Sequence, residues 1–120
     1  MRPPTDLEES TRVLKAFADP VRLRLLNLLS QKRETCVCHL HEALGLPQPT
    51  VSRHLAYLRK TGLVVGRKDG LWVHYRLARP RVSLHRVLLQ GISHCLASFE
   101  VLREDRERLT RVVSCDGNRS

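Results

Sequence analysis

No hydrophobic stretch of this 120-residue sequence is long enough to span a bilayer, because Arg, Lys, His or Glu interrupts every one. The opening Met1-Arg2-Pro3-Pro4-Thr5-Asp6 lacks the apolar segment of a secretory signal. A cytoplasmic location and no membrane partner are therefore expected. Also missing are internal repeats, low-complexity segments, a glycine-rich phosphate loop, a nucleophile elbow and carboxylates paired in a pocket-like context. These absences argue against an enzyme and against a catalytic cofactor. The four cysteines, Cys36, Cys38, Cys95 and Cys115, do not fall into the paired CxxC or HxxxH spacing of a zinc finger. In a reducing compartment they are expected as thiols, free to act as ligands or sensors.

What is present is globular and basic. Hydrophobic residues make up 42% and charged residues 28%, enough apolar side chains for the core of one small domain. Twenty-one Lys and Arg against twelve Asp and Glu leave a formal net charge of +9, which favours a polyanionic partner. The basic residues are spread over the middle and end rather than gathered in a tail or one amphipathic helix, so nucleic acid is the better partner than an anionic membrane.

Spacing predicts a helix over Thr5 to Ala18, with Leu7, Thr11, Leu14 and Ala18 on one face. Asp19-Pro20 is a helix start, and a second, broadly apolar helix continues to about Gln31. A short third helix is expected over Val37 to Leu44, begun by Thr35 or Cys36 and stopped by Gly45. A fourth runs from Gln48 to Lys60, so that two short helices flank a tight turn in a helix-turn-helix pattern. Leu63 to Lys68 and Leu71 to Leu77, joined by Asp69-Gly70, read as a two-stranded hairpin whose turn has positive φ at both central residues. Val82 to about Leu109 returns to helical spacing as one long stripe, expected to pack on a second subunit. The fold class is thus mainly α with a small β-hairpin, a winged helix-turn-helix, with residues 1–113 as one DNA-binding and dimerisation domain and 114–120 as a flexible tail.

The second helix of such a motif enters the major groove and its first turns meet base edges. Those positions are Gln48, Thr50, Ser52, Arg53 and His54. Gln pairs with adenine and Arg with guanine through two hydrogen bonds each, while Ser and Thr suit phosphate or either base type. Arg59 and Lys60 lie at the far end for backbone contact, and Arg67 and Lys68 lie just before the hairpin tip, within reach of the neighbouring minor groove or phosphates. His54 has an alternative place, packed beneath the helix.

The run Glu34-Thr35-Cys36-Val37-Cys38-His39-Leu40, followed by Gln48-Pro49-Thr50-Val51-Ser52-Arg53-His54-Leu55-Ala56-Tyr57-Leu58, resembles the ArsR/SmtB family of bacterial metal-sensing repressors. Phe17 to Arg22 and the Gly70 to Leu77 hairpin share the resemblance. It implies a homodimer formed through the first and last helices that binds double-stranded operator DNA and leaves it when an inducer binds. The family's arsenic-type site reads E-L-C-V-C-D-L-C; here Thr35 replaces Leu, His39 replaces Asp and His41 stands where a third Cys can occur. The zinc site that this family can carry on its last helix is not matched by Arg79-Pro80-Arg81 and Ile92-Ser93-His94-Cys95.

Cys36 and Cys38 are the candidate ligands for trivalent arsenic or antimony, soft centres that favour thiolates. Two residues apart, they would sit about 200° apart on a regular helix, so they converge only if the helix start is unwound. The third ligand is expected from Cys95 or Cys115, or from a solute thiol such as glutathione. Cys95 also fits as a small hydrophobe on the apolar stripe. Two alternatives stand beside this: cadmium, lead or zinc at the same cysteines, with His39 and His41 crowding a zinc shell, and a redox or sulfide switch pairing Cys36 or Cys38 with Cys95.

Overall fold

A computed structural model describes residues 6–31 and 34–116, the side chains of residues 6 and 114–116 excepted. Asp19 opens the central helix: its Oδ1 accepts from the Val21 and Arg22 amides at 2.9 and 3.0 Å, and Pro20 sits at the first helical position. This helix, α2 (Pro20–Leu29), follows α1 (Asp6–Phe17) and is buried all round over Leu25 to Leu29. The core gathers on it, from Leu40 of α3 (Val37–Leu44) and Val51, Leu55 and Leu58 of α4 (Gln48–Lys60). Between α3 and α4, Gly45 takes φ +68°, and the Gly45 and Leu46 amides return to the carbonyls of Glu42 and His41. The helix-turn-helix is formed as its spacing predicts.

The wing is larger than a hairpin. Thr35–Cys36 forms a two-residue strand, β1, which pairs antiparallel with β3 (Trp72–Leu77), and β3 pairs in turn with β2 (Val64–Asp69). The sheet order β1-β3-β2 corrects the two-stranded expectation. A strand of two residues has no alternation to detect. The tip also differs: Asp69 pairs with Trp72, so the connecting residues are Gly70 and Leu71, and among the described residues only glycines have positive φ, Gly70 at +63°. Positive φ at the first position alone matches the II′ pattern rather than I′.

The expected single last helix is broken. It divides into α5 (Ser83–Gly91), a π-helical turn (Ile92–Leu96) and α6 (Glu100–Asp116). Helix α6 folds back on its own subunit, burying Leu102 and Leu109 against α2 and α3. Leu102 and Leu109 therefore cover this chain's own core, while Cys95 and Phe99 of the same expected stripe stay exposed, as a face for a second subunit requires. Helix α6 also passes the boundary expected at residue 113; residues 117–120 of the expected tail lie outside the described residues. No helix among the described residues is long and apolar enough to cross a membrane.

Candidate functional site

Helix α4 presents an open edge. Pro47 precedes it and provides no side-chain cap, so its first amides have no side-chain acceptor, the arrangement that receives a phosphate. Gln48 is exposed and donates through Nε2 to Ser52 Oγ at 3.0 Å, one turn on. Arg53, Arg59 and Lys60 are exposed, and Thr50 and Ser52 half-buried. The cationic end Arg59-Lys60 also suits the negative end of the helix dipole. His54 is turned back instead: its Nδ1 lies 3.8 Å from Asp19 Oδ1 and 3.5 Å from Arg22 Nη1. The structure thus gives His54 the bracing place beneath the helix rather than a place on the groove edge.

Arg22 was not foreseen in this role. Its guanidinium stacks over Tyr57 at 4.1 Å, and its Nε and Nη2 donate to the carbonyls of Ala16 and Lys15 at 2.9 Å each. It ties the end of α1 and the start of α2 to the outer side of α4. An Arg three residues after a capping Asp, with a Tyr in the recognition helix, is a sequence signal too slight to have shown this.

The wing cations have different surroundings. Lys68 is exposed. Arg67, also exposed, is held by Glu34 through two bonds, Nε to Oε2 at 3.0 Å and Nη2 to Oε1 at 2.7 Å. The guanidinium holds the Glu34 carboxyl below its ordinary pKa, and the carboxylate raises that of Arg67.

The thiols converge. Cys36 ends β1 and caps α3 with extended backbone (φ −67°, ψ 143°), its Sγ accepting from the Cys38 amide at 3.3 Å. Cys38 lies in the first turn and brings its Sγ to 2.6 Å from that of Cys36. The geometric difficulty of a CxC pair is resolved because Cys36 stands outside the helix. Burial first, then the hydrogen bond to Cys36 and its charge, push the Cys38 thiol up to about 11. A hollow of about 200 Å³ beside the pair is lined by Glu34, Thr35, Cys36, His39, His74 and Val113. Glu34 and His74 are neighbours that the sequence alone did not bring to the site. His74 arrives because it is the register partner of Cys36.

Among the described residues no three His, Cys, Asp or Glu side chains are grouped to hold a metal ion. His41 is engaged elsewhere, its Nδ1 3.1 Å from the Leu46 carbonyl oxygen. Cys95 is exposed on the π-helical turn. The side chain of Cys115 lies outside the described residues.

Known proteins resemble the chain in this region and beyond it. The family described as bacterial regulatory proteins of the arsR family matches residues 19–65. The arsenical resistance operon repressor of Escherichia coli is 52% identical over 56% of this chain and 57% of its own length. The arsenic resistance transcriptional regulator ArsR1 of Pseudomonas putida is 40% identical over 83% of this chain and 77% of its own. Among solved structures, the homodimeric winged helix-turn-helix DNA-binding domain Mb0332 of Mycobacterium bovis superposes with a TM-score of 0.62 at 31% identity, over 83% of this chain and 97% of that one.

Proposed function

The chain belongs to the ArsR family of DNA-binding winged-helix transcriptional repressors, and from that membership we propose that it leaves its operator when Cys36 and Cys38 bind trivalent arsenic or antimony. The observation that carries the reading is the 2.6 Å approach of the two sulfurs at the entrance to the helix-turn-helix. A trivalent hydroxide such as As(OH)₃ reacts with two thiols by exchange: two As–S bonds form, two As–O bonds break, and each thiol proton leaves with a hydroxide as water. No oxidation state changes. Two sulfurs and a remaining hydroxide complete a three-coordinate centre, whereas zinc asks for four donors. The grouping of only two thiols therefore favours the metalloid over zinc among the described residues.

A third thiolate in place of that hydroxide would come from Cys95 or Cys115; Cys95 is exposed on the π-helical turn.

The two ligands lie on different elements, so one bound atom fixes the end of β1 to the first turn of α3 and shifts the platform on which α4 rests. The DNA contacts assigned to this surface are Gln48, Thr50, Ser52 and Arg53, with Arg59, Lys60, Arg67 and Lys68 on phosphates. A coupling of about 1–3 kcal/mol changes affinity about 5- to 150-fold, so full release needs both sites of a homodimer filled. The test is titration of the operator complex with arsenite, antimonite, cadmium, lead and zinc in excess reductant, followed by fluorescence anisotropy. Arsenite or antimonite releases the DNA, and Cys36→Ser and Cys38→Ser each retain DNA binding and lose the release. Failure of all five ions to release DNA refutes the reading and leaves an oxidant or sulfide as the signal. A serine variant that cannot bind DNA shows instead that its cysteine is structural.

A further inference from the structure

The two-bond pair between Glu34 and Arg67 joins the sensor strand to a cation assigned to DNA. Glu34 immediately precedes β1, and Arg67 lies on β2 at the opposite edge of the sheet. The register brings them together. Cys36 is opposite His74 on β3, and His74 is opposite Arg67 on β2. Side chains alternate across a strand, so Cys36, His74 and Arg67 share one face of the sheet. Glu34 crosses this face to reach the guanidinium and lines the same hollow as Cys36 and His74. Asp69 adds a weaker attraction, its Oδ2 3.9 Å from Arg67 Nη1.

A carboxylate offers the arginine fork the same two-oxygen geometry as a DNA phosphate. Arg67 cannot give that fork to both. We propose that Glu34 is an intramolecular competitor of DNA phosphate for Arg67, and that a ligand bridging Cys36 and Cys38 decides the competition. The ligand half of this rests on the function proposed above; the competition itself does not. In the unliganded protein β1 is a two-residue strand at the sheet edge, and Glu34, partly exposed, gives up Arg67 to phosphate and returns to water. A bridged thiol pair fastens β1 to α3, holds Glu34 over Arg67, and removes one wing contact from the DNA complex.

The test is a double-mutant cycle on operator affinity in the inducer-free full-length protein, with Glu34→Gln, Arg67→Ala and the pair together. Glu34→Gln is expected to tighten binding about 2- to 5-fold at low salt, the range of an exposed ion pair. Arg67→Ala is expected to weaken it, and most of the Glu34→Gln gain is lost in the Arg67→Ala background. No gain, or the same gain in both backgrounds, overturns the proposal, since plain charge repulsion does not depend on Arg67. Both residues are partly or wholly exposed, and Glu34→Ala, expected to match Glu34→Gln, guards against a local packing artefact. Arsenite is then added to the unaltered protein and to Glu34→Gln, with its uptake read from near-ultraviolet thiolate–arsenic absorption. Glu34→Gln takes up arsenite and loses less DNA affinity than the unaltered protein; an equal loss overturns the switch. Absence of uptake by the unaltered protein is failure of the arsenic reading, and the cycle decides the competition regardless.

Discussion

Cys38 separates the candidate inducers by their proton balance. Its thiol, raised to about 11, is protonated at neutral pH. A divalent cation that binds it must displace a proton, so cadmium affinity should rise by about tenfold or more per pH unit between pH 6 and 8. Arsenite exchange sends the same proton out within a water molecule, so its affinity is expected to stay nearly flat over that range. Binding isotherms at pH 6, 7 and 8 check this; a steep arsenite profile would mean that thiolate, not thiol, is the form that reacts. The residue scale is also where sequence reading goes furthest and then stops. The CxC pair and the cationic edge of α4 are legible as types and spacings. The place of His54, bound to Asp19 and Arg22, depends on which side of α4 meets α2 at that turn, and spacing leaves that open.

The elements that carry the sensor are braced from behind by α6. Asp105 is fully buried and accepts from Arg24 Nε and Nη2 at 2.7 and 2.9 Å and from Arg108 Nη2 at 2.6 Å. The same arginines donate to the last carbonyls of α3, Arg24 to Leu44 and Arg108 to Ala43. Buried Asn27 donates to the Leu102 carbonyl and accepts from Arg106. Thus α3 is tied at its C-terminal end while its first turn carries the thiols. Asp105→Ala leaves two arginines facing each other without their acceptor, though both retain some access to water. It is expected to destabilise the fold by about 2–3 kcal/mol in urea unfolding. A loss within 0.5 kcal/mol would show that water replaces the carboxylate. None of this clamp was readable beforehand. The helix-turn-helix could be read because Asp19, Gly45 and the buried leucines mark its ends and faces. The break before α6 escaped because apolar residues keep helical spacing on both sides of the π-helical turn, and β1 escaped because two residues have no period.

On the scale of the whole molecule, burial within the chain accounts for α2 and α3, leaves Val101 of α6 45% exposed, and leaves α1 and α5 incomplete. They pack on each other, yet Leu7 is 77%, Leu14 48% and Val87 56% exposed. Leu7 and Leu14 are seven residues apart, on one face of α1. An apolar surface built from two packed helices is the kind that a second copy covers, and a two-fold axis there makes the contact the same surface on both subunits. Placing the dimer on α1 and α5 keeps the expected interface, because α5 is the first part of the segment expected as one last helix from Val82 to Leu109. A two-fold dimer would set two recognition helices against two half-sites of a palindromic operator about one helical turn, or a multiple of it, apart. Binding of the second half-site is then intramolecular, a gain of about 10²–10⁴ in affinity. The double variant Leu14→Glu, Val87→Glu should sediment as a folded monomer with an unchanged helical circular-dichroism spectrum, and lose operator affinity by about that factor while keeping weak half-site binding. If it still sediments as a dimer, the subunits meet through another face. If it is monomeric with undiminished operator affinity, one protomer suffices for recognition, and the coupling between two inducer sites has no dimer to act through.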